Sequence, residues 1–259
     1  MKQIQEVLEK TYDDLELRQS IVPLFLSNPG IGKTVVIQEF AKERNVNLVE
    51  IITSQIPPYE VSGIAFPDRD SKKMTYYNFD KMETLKDGDI LFFDEVLNGN
   101  PVVLNACLTL LEQRKLVSGH PLPNIMIVAA ANPQGMVPIT PQIKERFVWY
   151  DTKYDEEMWK TFMFNKYNLT LNAVEKLSVL IKVENFTDYN FNTPRSLDKA
   201  VNMVLNEVPT PYHKRVYPIL NEIIRNPFDE EVSFHDGTVL KVGEMMSWLN
   251  IYKKLNHKK

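Results

Sequence analysis

Residues Val22 to Thr34 read Val-Pro-Leu-Phe-Leu-Ser-Asn-Pro-Gly-Ile-Gly-Lys-Thr. An apolar run passes into a turn holding proline and glycine, and Gly-Lys-Thr then opens an amphipathic stretch. Ile21 to Leu26 has the character of a buried parallel strand, and Thr34 to Arg44 spaces Val36, Ile37, Phe40 and Ala41 along one helix face. Strand, loop and helix therefore follow one another as a phosphate-binding loop requires. Backbone N–H groups around Gly30, Ile31, Gly32 and Lys33 can wrap an anionic phosphate at a helix N-terminus, where glycine permits the closest approach. The expected cradle is Asn28, Pro29, Gly30, Ile31, Gly32, Lys33, Thr34 and Val35. Lys33 is placed to reach the β- and γ-phosphates and Thr34 to set its hydroxyl on Mg²⁺. Ser27 stands where the pattern G-x-x-x-x-G-K-[ST] has its first glycine. That glycine mostly serves the turn out of the strand, so the loop is expected to survive the replacement. The plainer reading is a glycine turn before a surface lysine.

The second informative stretch is Ile90-Leu-Phe-Phe-Asp-Glu95, an apolar strand with two acids at its carboxyl end. In an open parallel sheet such strand ends border the ligand crevice. Asp94 can then bind Mg²⁺ through water, and Glu95 can orient and polarise the water that attacks a γ-phosphate. Apolar strands ending in Asp-Glu also arise simply where a helix begins. The distance from the phosphate loop leaves room for two intervening elements, as the catalytic reading needs.

Around these stretches the chain reads in order. Gln3 to Leu17 is expected to form one helix, with Ile4, Val7, Leu8, Tyr12 and Leu15 at helical spacing, packed beside the nucleotide. Asn47 to Ile52 reads as a second strand, ended by Pro57-Pro58. Gly63 to Phe79 has apolar arms around a polar tip, a hairpin or long loop that is either a surface excursion or a contact element for a substrate or partner. Pro101 to Glu112 continues as a helix with Val102, Asn105 or Ala106, and Thr109 or Leu110 on successive turns. Gln113 to Leu122 is a small hairpin centred on Ser118-Gly119, and Asn124 to Ala131 a further buried strand. Asn132 at its end is placed to help hold an attacking water. Pro141 to Phe147 is a short helical segment running into the strand Phe147 to Tyr150.

Composition sets outer limits. With 259 residues, 44% hydrophobic and 25% charged, and a net charge of −4, neither disorder nor a polyanion-coating protein is indicated. The single cysteine, Cys107, sits in an apolar helical pattern, which excludes an intrachain disulfide and suits core packing. His120, His213, His235 and His257 lack ligand spacing, so no metal beyond nucleotide-bound Mg²⁺ is expected. The charged amphipathic start and the absence of any run of membrane-spanning length lead to the expectation of a cytoplasmic soluble protein with no membrane partner.

The order of these pieces resembles the AAA+ ATPases, specifically their MoxR-like and dynein-related branch. SNPGIGKT, ILFFDEVLNGNPVVLNACLTLLEQRKLVSG, LPNIMIVAAANPQG, TPQIKERF and NTPRSLDKA carry the likeness, which covers roughly Ile21 to Val204. The resemblance implies a P-loop NTPase fold: a parallel α/β sheet sandwiched by helices over residues 1–150, followed by a smaller helical lid over 151–259. It implies ATP and Mg²⁺ as cofactors, with Lys33 and Thr34 matching Walker A, Asp94 and Glu95 Walker B, and Asn132 sensor 1. Arg146 sits where such proteins carry an arginine finger that completes a neighbour's site, and Arg195, in Thr-Pro-Arg, matches sensor 2. The alternatives are a surface arginine in a salt bridge and a helix-start arginine binding carboxylates. Thr53 or Ser54 would be the polar residue that restrains the catalytic glutamate.

Beyond Asp151 helices are expected over Asp155 to Tyr167, Leu171 to Glu184, Pro194 to Glu207 and His213 to Arg225, with a hinge near Tyr150 to Lys153. Val232 to Val242 alternates around Asp236-Gly237, a hairpin signal, and a helix Gly243 to Leu255 precedes a basic tail. No separate amino-terminal recognition domain is expected. The first functional expectation is an ATP-hydrolysing ring protein that remodels a protein client. By resemblance it is a homo-oligomer, a hexamer, able to work with a von Willebrand A domain partner. The alternatives are a DNA-associated motor or loader, for which Arg69, Lys72, Lys73, Tyr76 and Tyr77 supply a basic aromatic surface, and an ATP-gated scaffold that hydrolyses little. Small-molecule kinases also use phosphate loops, but the Asp-Glu pair and Asn132 fit them poorly.

Overall fold

The computed structural model describes residues 2–70, 72–78, 80–181, 193–206, 208, 216, 219, 231–233 and 239–241. Two units, Met1–Asp155 and Glu156–Lys259, are taken in turn.

In the first unit the chain begins with helices α1 (Lys2–Asp13) and α2 (Leu15–Ser20). The single helix expected over Gln3 to Leu17 is thus broken. Asp14 takes an extended conformation and its carboxylate accepts from the Leu17 N–H, restarting the helix as an N-cap. Strand β1 (Pro23–Leu26) leads through the glycine turn to α3 (Lys33–Glu43), whose buried face holds Val36, Ile37, Phe40 and Ala41 as expected. Helix α1 packs on it: Tyr12 meets Phe40 edge-on, with ring centroids 5.6 Å apart. Arg44 closes the contact with a two-pronged bond to Asp13 at 2.6 and 3.0 Å, which holds that carboxyl below its usual range.

Strand β2 (Leu48–Ile52), the short α4 (Tyr59–Ser62), the antiparallel pair β3 (Ile64–Asp68) and β4 (Lys73–Tyr77), and α5 (Asp80–Glu83) precede β5 (Ile90–Asp94). Of the two readings left open for the excursion after Gly63, the hairpin holds. Helix α6 (Pro101–Gln113) follows, then β6 (Met126–Ala131), α7 (Pro141–Arg146) and β7 (Val148–Asp151). Between α6 and β6 the chain turns through a small antiparallel bridge, Lys115 opposite Pro121, with Gly119 at φ 88° in its turn.

The sheet has five strands in the order β2-β5-β6-β1-β7, every neighbouring pair parallel. Strands β5 and β6 lie inside it, and Ile90 to Phe93 and Met126 to Ala131 are all buried. A strand covered on both faces must be apolar throughout rather than alternating, which explains both runs. Truncating Phe92, fully buried, costs about 3–5 kcal/mol by the usual large-to-small rule. The inward face of α6 is Val103, Leu104, Cys107, Leu110 and Leu111, while Val102 is 58% exposed. Of the positions expected on successive turns, Leu110 lies on this face and Val102 does not, so the register at the start of α6 is one residue out. Asn100 fixes it by capping the Val102 N–H, with Pro101 next. Among the described residues no helix is long and apolar enough to cross a membrane.

The second unit contains α8 (Glu156–Tyr167), α9 (Leu171–Ser178), α10 (Pro194–Leu205) and the antiparallel strands β8 (Glu231–Ser233) and β9 (Val239–Lys241). Lys160 on α8 bonds Glu156, Glu157 and, on α9, Glu175 at 3.0 to 3.2 Å. The β8–β9 pairing carries the arms of the expected late hairpin, while its Asp236-Gly237 turn lies outside the described residues. So do most of His213 to Arg225, the helix expected over Gly243 to Leu255 and the basic tail.

Candidate functional site

Parallel register brings the carboxyl ends of three strands together. Leu26 of β1 lies opposite Ala131 of β6, and Phe93 of β5 opposite Ala129 of β6. The residues at or just past these ends, Ser27, Asp94-Glu95 and Asn132, therefore meet at one edge of the sheet, the position at which open α/β sheets bind ligands.

The glycine turn supplies the first part. Gly30 and Gly32 have φ of 81° and 108°, in the left-handed region that glycine occupies freely. Gly32 is the N-cap of α3 and makes no side-chain cap bond, so the first N–H groups of α3 keep the positive end of the helix for an anion. Ile31 is buried and anchors the loop from beneath, Asn28, Pro29 and Gly30 are half-buried, and Val35 is exposed on the first turn.

Lys33 is 6% exposed, so its ammonium is held by the loop rather than by water. Its Nζ donates to the Ser27 carbonyl at 2.8 Å, Ser27 Oγ at 2.9 Å and Asn132 Oδ1 at 3.1 Å, with the Asn28 carbonyl at 3.5 Å. Walker-type lysine and candidate sensor asparagine thus touch across two strand ends. A reading as a surface lysine does not fit this burial.

Thr34 and Asp94 form the second part: Thr34 Oγ1 donates to Asp94 Oδ2 at 2.9 Å. A hydroxyl and a carboxylate converging in this way are hard oxygen donors, the set that Mg²⁺ prefers. The residues present fit that ion.

Glu95 is the third part, and its backbone is strained. Its φ is 56°, in the left-handed region that non-glycine residues rarely adopt. Several bonds enforce it. The Glu95 N–H donates to Asp94 Oδ1 at 2.9 Å, its carbonyl accepts from Thr53 Oγ1 at 2.8 Å and from the Asn98 N–H at 2.8 Å. Ser54 Oγ donates to the Glu95 carboxylate. Of the two candidates after β2, Ser54 therefore reaches the acid, while Thr53 is buried and grips main chain. Gly99 makes the approach possible: a Cβ there would stand 2.7 Å from the Thr53 carbonyl oxygen.

Asn98 is a member that the sequence reading did not single out. Its Oδ1 accepts from the Asn132 N–H at 2.9 Å, and its Nδ2 donates to the carbonyls of Asn132 at 3.0 Å and Gln134 at 2.8 Å. The turn after β5 thereby clamps the turn after β6. Only its place three residues past the Asp-Glu pair, in a loop that must satisfy a neighbouring turn, could have signalled it.

Arg146 takes no part in these hydrogen bonds. Arg146, the last residue of α7, pairs with Glu112 of α6 at 2.6 Å. Arg195 is exposed on the first turn of α10, behind Thr193 and Ser196, which form a capping box, and Pro194. It belongs to the second unit.

Residues 24–147 match the family described as AAA domain (dynein-related subfamily). Two uncharacterized proteins of Methanocaldococcus jannaschii are 25% and 24% identical to the chain over 168 residues, 62% of its length. The chain spans about two fifths of those relatives, 40% and 39%. Among solved structures, the Thermotoga maritima RuvB Holliday junction branch migration motor superposes with a TM-score of 0.54 at 16% identity, covering 86% of this chain and 69% of that one. That likeness is one of fold: a parallel sheet flanked by helices, with helices following.

Proposed function

We propose, from the premise that residues 24–147 are an AAA domain of the dynein-related subfamily, that the protein hydrolyses ATP as a MoxR-like ring and uses the cycle to remodel a protein client or complex. The observation that carries this reading is the network at the strand ends: hydrogen bonds run from Lys33 to Asn132 and from Thr34 through Asp94 and Glu95 to Ser54, and Asn98, bonded to both Glu95 and Asn132, joins the two.

Each group has a task. The N–H groups of Asn28 to Val35, apart from Pro29, cradle the phosphates, and Lys33 neutralises the β- and γ-oxygens. Thr34 and Asp94 would hold Mg²⁺, which supplies charge neutralisation at the same oxygens when bound. Glu95 orients the water and accepts its proton as the oxygen attacks γ-phosphorus and ADP leaves. Ser54 holds Glu95 until nucleotide is correctly seated, and Asn132 fixes the water from the opposite side. Arg146 acts on a neighbour's γ-phosphate after leaving Glu112, and Arg195 is delivered by the second unit, which serves as a lid hinged near Tyr150 to Lys153. A homo-hexamer, with a von Willebrand A domain protein as a possible partner class, and a cytoplasmic site of action complete the reading.

Client contact is assigned to the β3–β4 hairpin. Ile64, Phe66, Met74, Tyr76 and Tyr77 are 41–60% exposed on it, and Asn78 Nδ2 bonds Ser118 Oγ at 2.8 Å, tying its base to the turn after α6. The same hairpin supports a second reading, a DNA-associated motor, because exposed Arg69, Lys72 and Lys73 lie beside its aromatic rings. A third, the ATP-gated scaffold, predicts that Glu95→Gln changes assembly lifetime far less than an ATPase would. Turnover per chain measured against protein concentration tests the first reading: it rises as protomers assemble, and a flat profile contradicts a shared site. Single-stranded DNA that binds with a steep salt dependence and stimulates turnover would favour the motor.

A further inference from the structure

The departure at Ser27 has a geometry of its own. Ser27 and Lys33 are both 6% exposed, and the serine supplies the ammonium with two acceptors, its carbonyl at 2.8 Å and its hydroxyl at 2.9 Å. A glycine at this position offers only the carbonyl. With Asn132 Oδ1 at 3.1 Å and the Asn28 carbonyl at 3.5 Å, at least four oxygens surround an ammonium that carries three hydrogens. A phosphate oxygen reaching Lys33 must displace at least one of them. Charge-assisted bonds at a buried site are the strong ones, and the hydroxyl is the acceptor that the sequence has added.

We propose that Ser27 is a latch on Lys33: its hydroxyl holds the ammonium against the end of β1, so that β-phosphate binding proceeds by exchange of that bond. Ser27 is then a positioning residue that sets nucleotide affinity. This inference rests on the phosphate-loop reading of the same site and adds to it a residue that acts through Lys33.

The latch has a signature that a structural role lacks. Removing the hydroxyl weakens the free state and leaves the nucleotide-bound state nearly unchanged, so affinity rises. The gain is confined to ligands whose phosphates reach Lys33. ADP and ATP carry a β-phosphate, whereas AMP does not. The gain also requires the lysine, so it vanishes in a Lys33→Ala background, as a double-mutant cycle demands.

The test is direct binding of ADP, ATP and AMP to the full chain by calorimetry, for wild type, Ser27→Ala, Ser27→Gly, Lys33→Ala and the Ser27→Ala/Lys33→Ala pair. Thermal unfolding of each nucleotide-free protein runs in parallel. Ser27→Ala and Ser27→Gly are expected to bind ADP and ATP about tenfold more tightly with AMP unchanged, and KM for ATP is expected to move more than kcat. Ser27→Thr, which retains the hydroxyl, stays near wild type. Unchanged or weakened ADP affinity in both Ser27→Ala and Ser27→Gly overturns the latch, and so does an equal gain for AMP or a gain that persists without Lys33. If wild type binds ADP and Lys33→Ala loses it, the phosphate-loop reading stands even where the latch fails. If wild type binds no nucleotide, both fail together.

Discussion

Thr34 Oγ1 and Asp94 Oδ2 lie 2.9 Å apart, a hydrogen bond between residues sixty positions distant in the chain. It joins the start of α3 to the end of β5, and so fixes the phosphate loop against the strand that carries the acids. Two oxygen donors set in this way suit the Mg²⁺ position proposed here. Asp94→Asn keeps the size of the side chain and much of the hydrogen bonding but removes its charge. It is expected to lower Mg²⁺-dependent turnover by about a hundredfold or more, with unfolding temperature little changed. Turnover that survives this substitution would remove Asp94 from the metal site.

Glu95 is held in a left-handed conformation with its carboxylate against Ser54. Glu95→Gln preserves the shape and is expected to retain nucleotide binding while cutting turnover by about 10²–10⁴, the usual range for a general base. Ser54→Ala should act differently, by releasing the acid: nucleotide affinity stays and the coupling of turnover to correct nucleotide seating is lost. Single-turnover hydrolysis measured with ATP bound separates the two variants.

Gly99 admits the Thr53 carbonyl to a place that a Cβ would occupy at 2.7 Å. The nearest atoms, the Thr53 carbonyl and the Ser54 nitrogen, are main chain and cannot rotate away. Gly99→Ala is therefore expected to push the end of β2 from the turn after β5 and part Ser54 from Glu95. Turnover should fall by more than nucleotide affinity does. Equal activity in Gly99→Ala would show that the close approach is not used.

Cys107 is fully buried on α6, and burial pushes its thiol up to about 12. Only the thiolate attacks labelling reagents, so the native protein is expected to resist a thiol reagent at pH 8 and to react fully in denaturant. The sign of the linkage follows from the raised value. Between the unfolded thiol near 9 and about 12 the folded state holds the extra proton, so stability falls as pH rises through that window. Fast native labelling would contradict the position of α6.

The strands and the phosphate loop were legible because their signals are local. Ile90 to Phe93 and Met126 to Ala131 are apolar throughout, and a wholly apolar run ending in turn residues has few alternatives. The break at Asp14 was not legible, since Tyr12 and Leu15 keep a helical spacing across it and only the cap geometry reveals the restart. On α6 the adjacent Val102 and Val103 offered two phases, and burial against the sheet decided for Val103. Asn98 and the Ser27–Lys33 bond were hidden for another reason: a side chain that grips a distant turn leaves no periodicity in the chain. Arg146 shows the same limit, because its Glu112 partner is visible only once α6 and α7 lie side by side.

The proposed function puts Arg146 and Glu95 of different subunits into one catalytic site. Two inactive variants, Glu95→Gln and Arg146→Ala, test it when mixed at concentrations at which protomers assemble. Each supplies what the other lacks, so the mixture is expected to recover ATP turnover at those interfaces where an intact Glu95 meets an intact Arg146. An arginine finger contributes about 10³–10⁵ in kcat, so even a minority of such interfaces is measurable. Full activity of Arg146→Ala alone, or a mixture as inactive as its parts while each still assembles, would contradict the account.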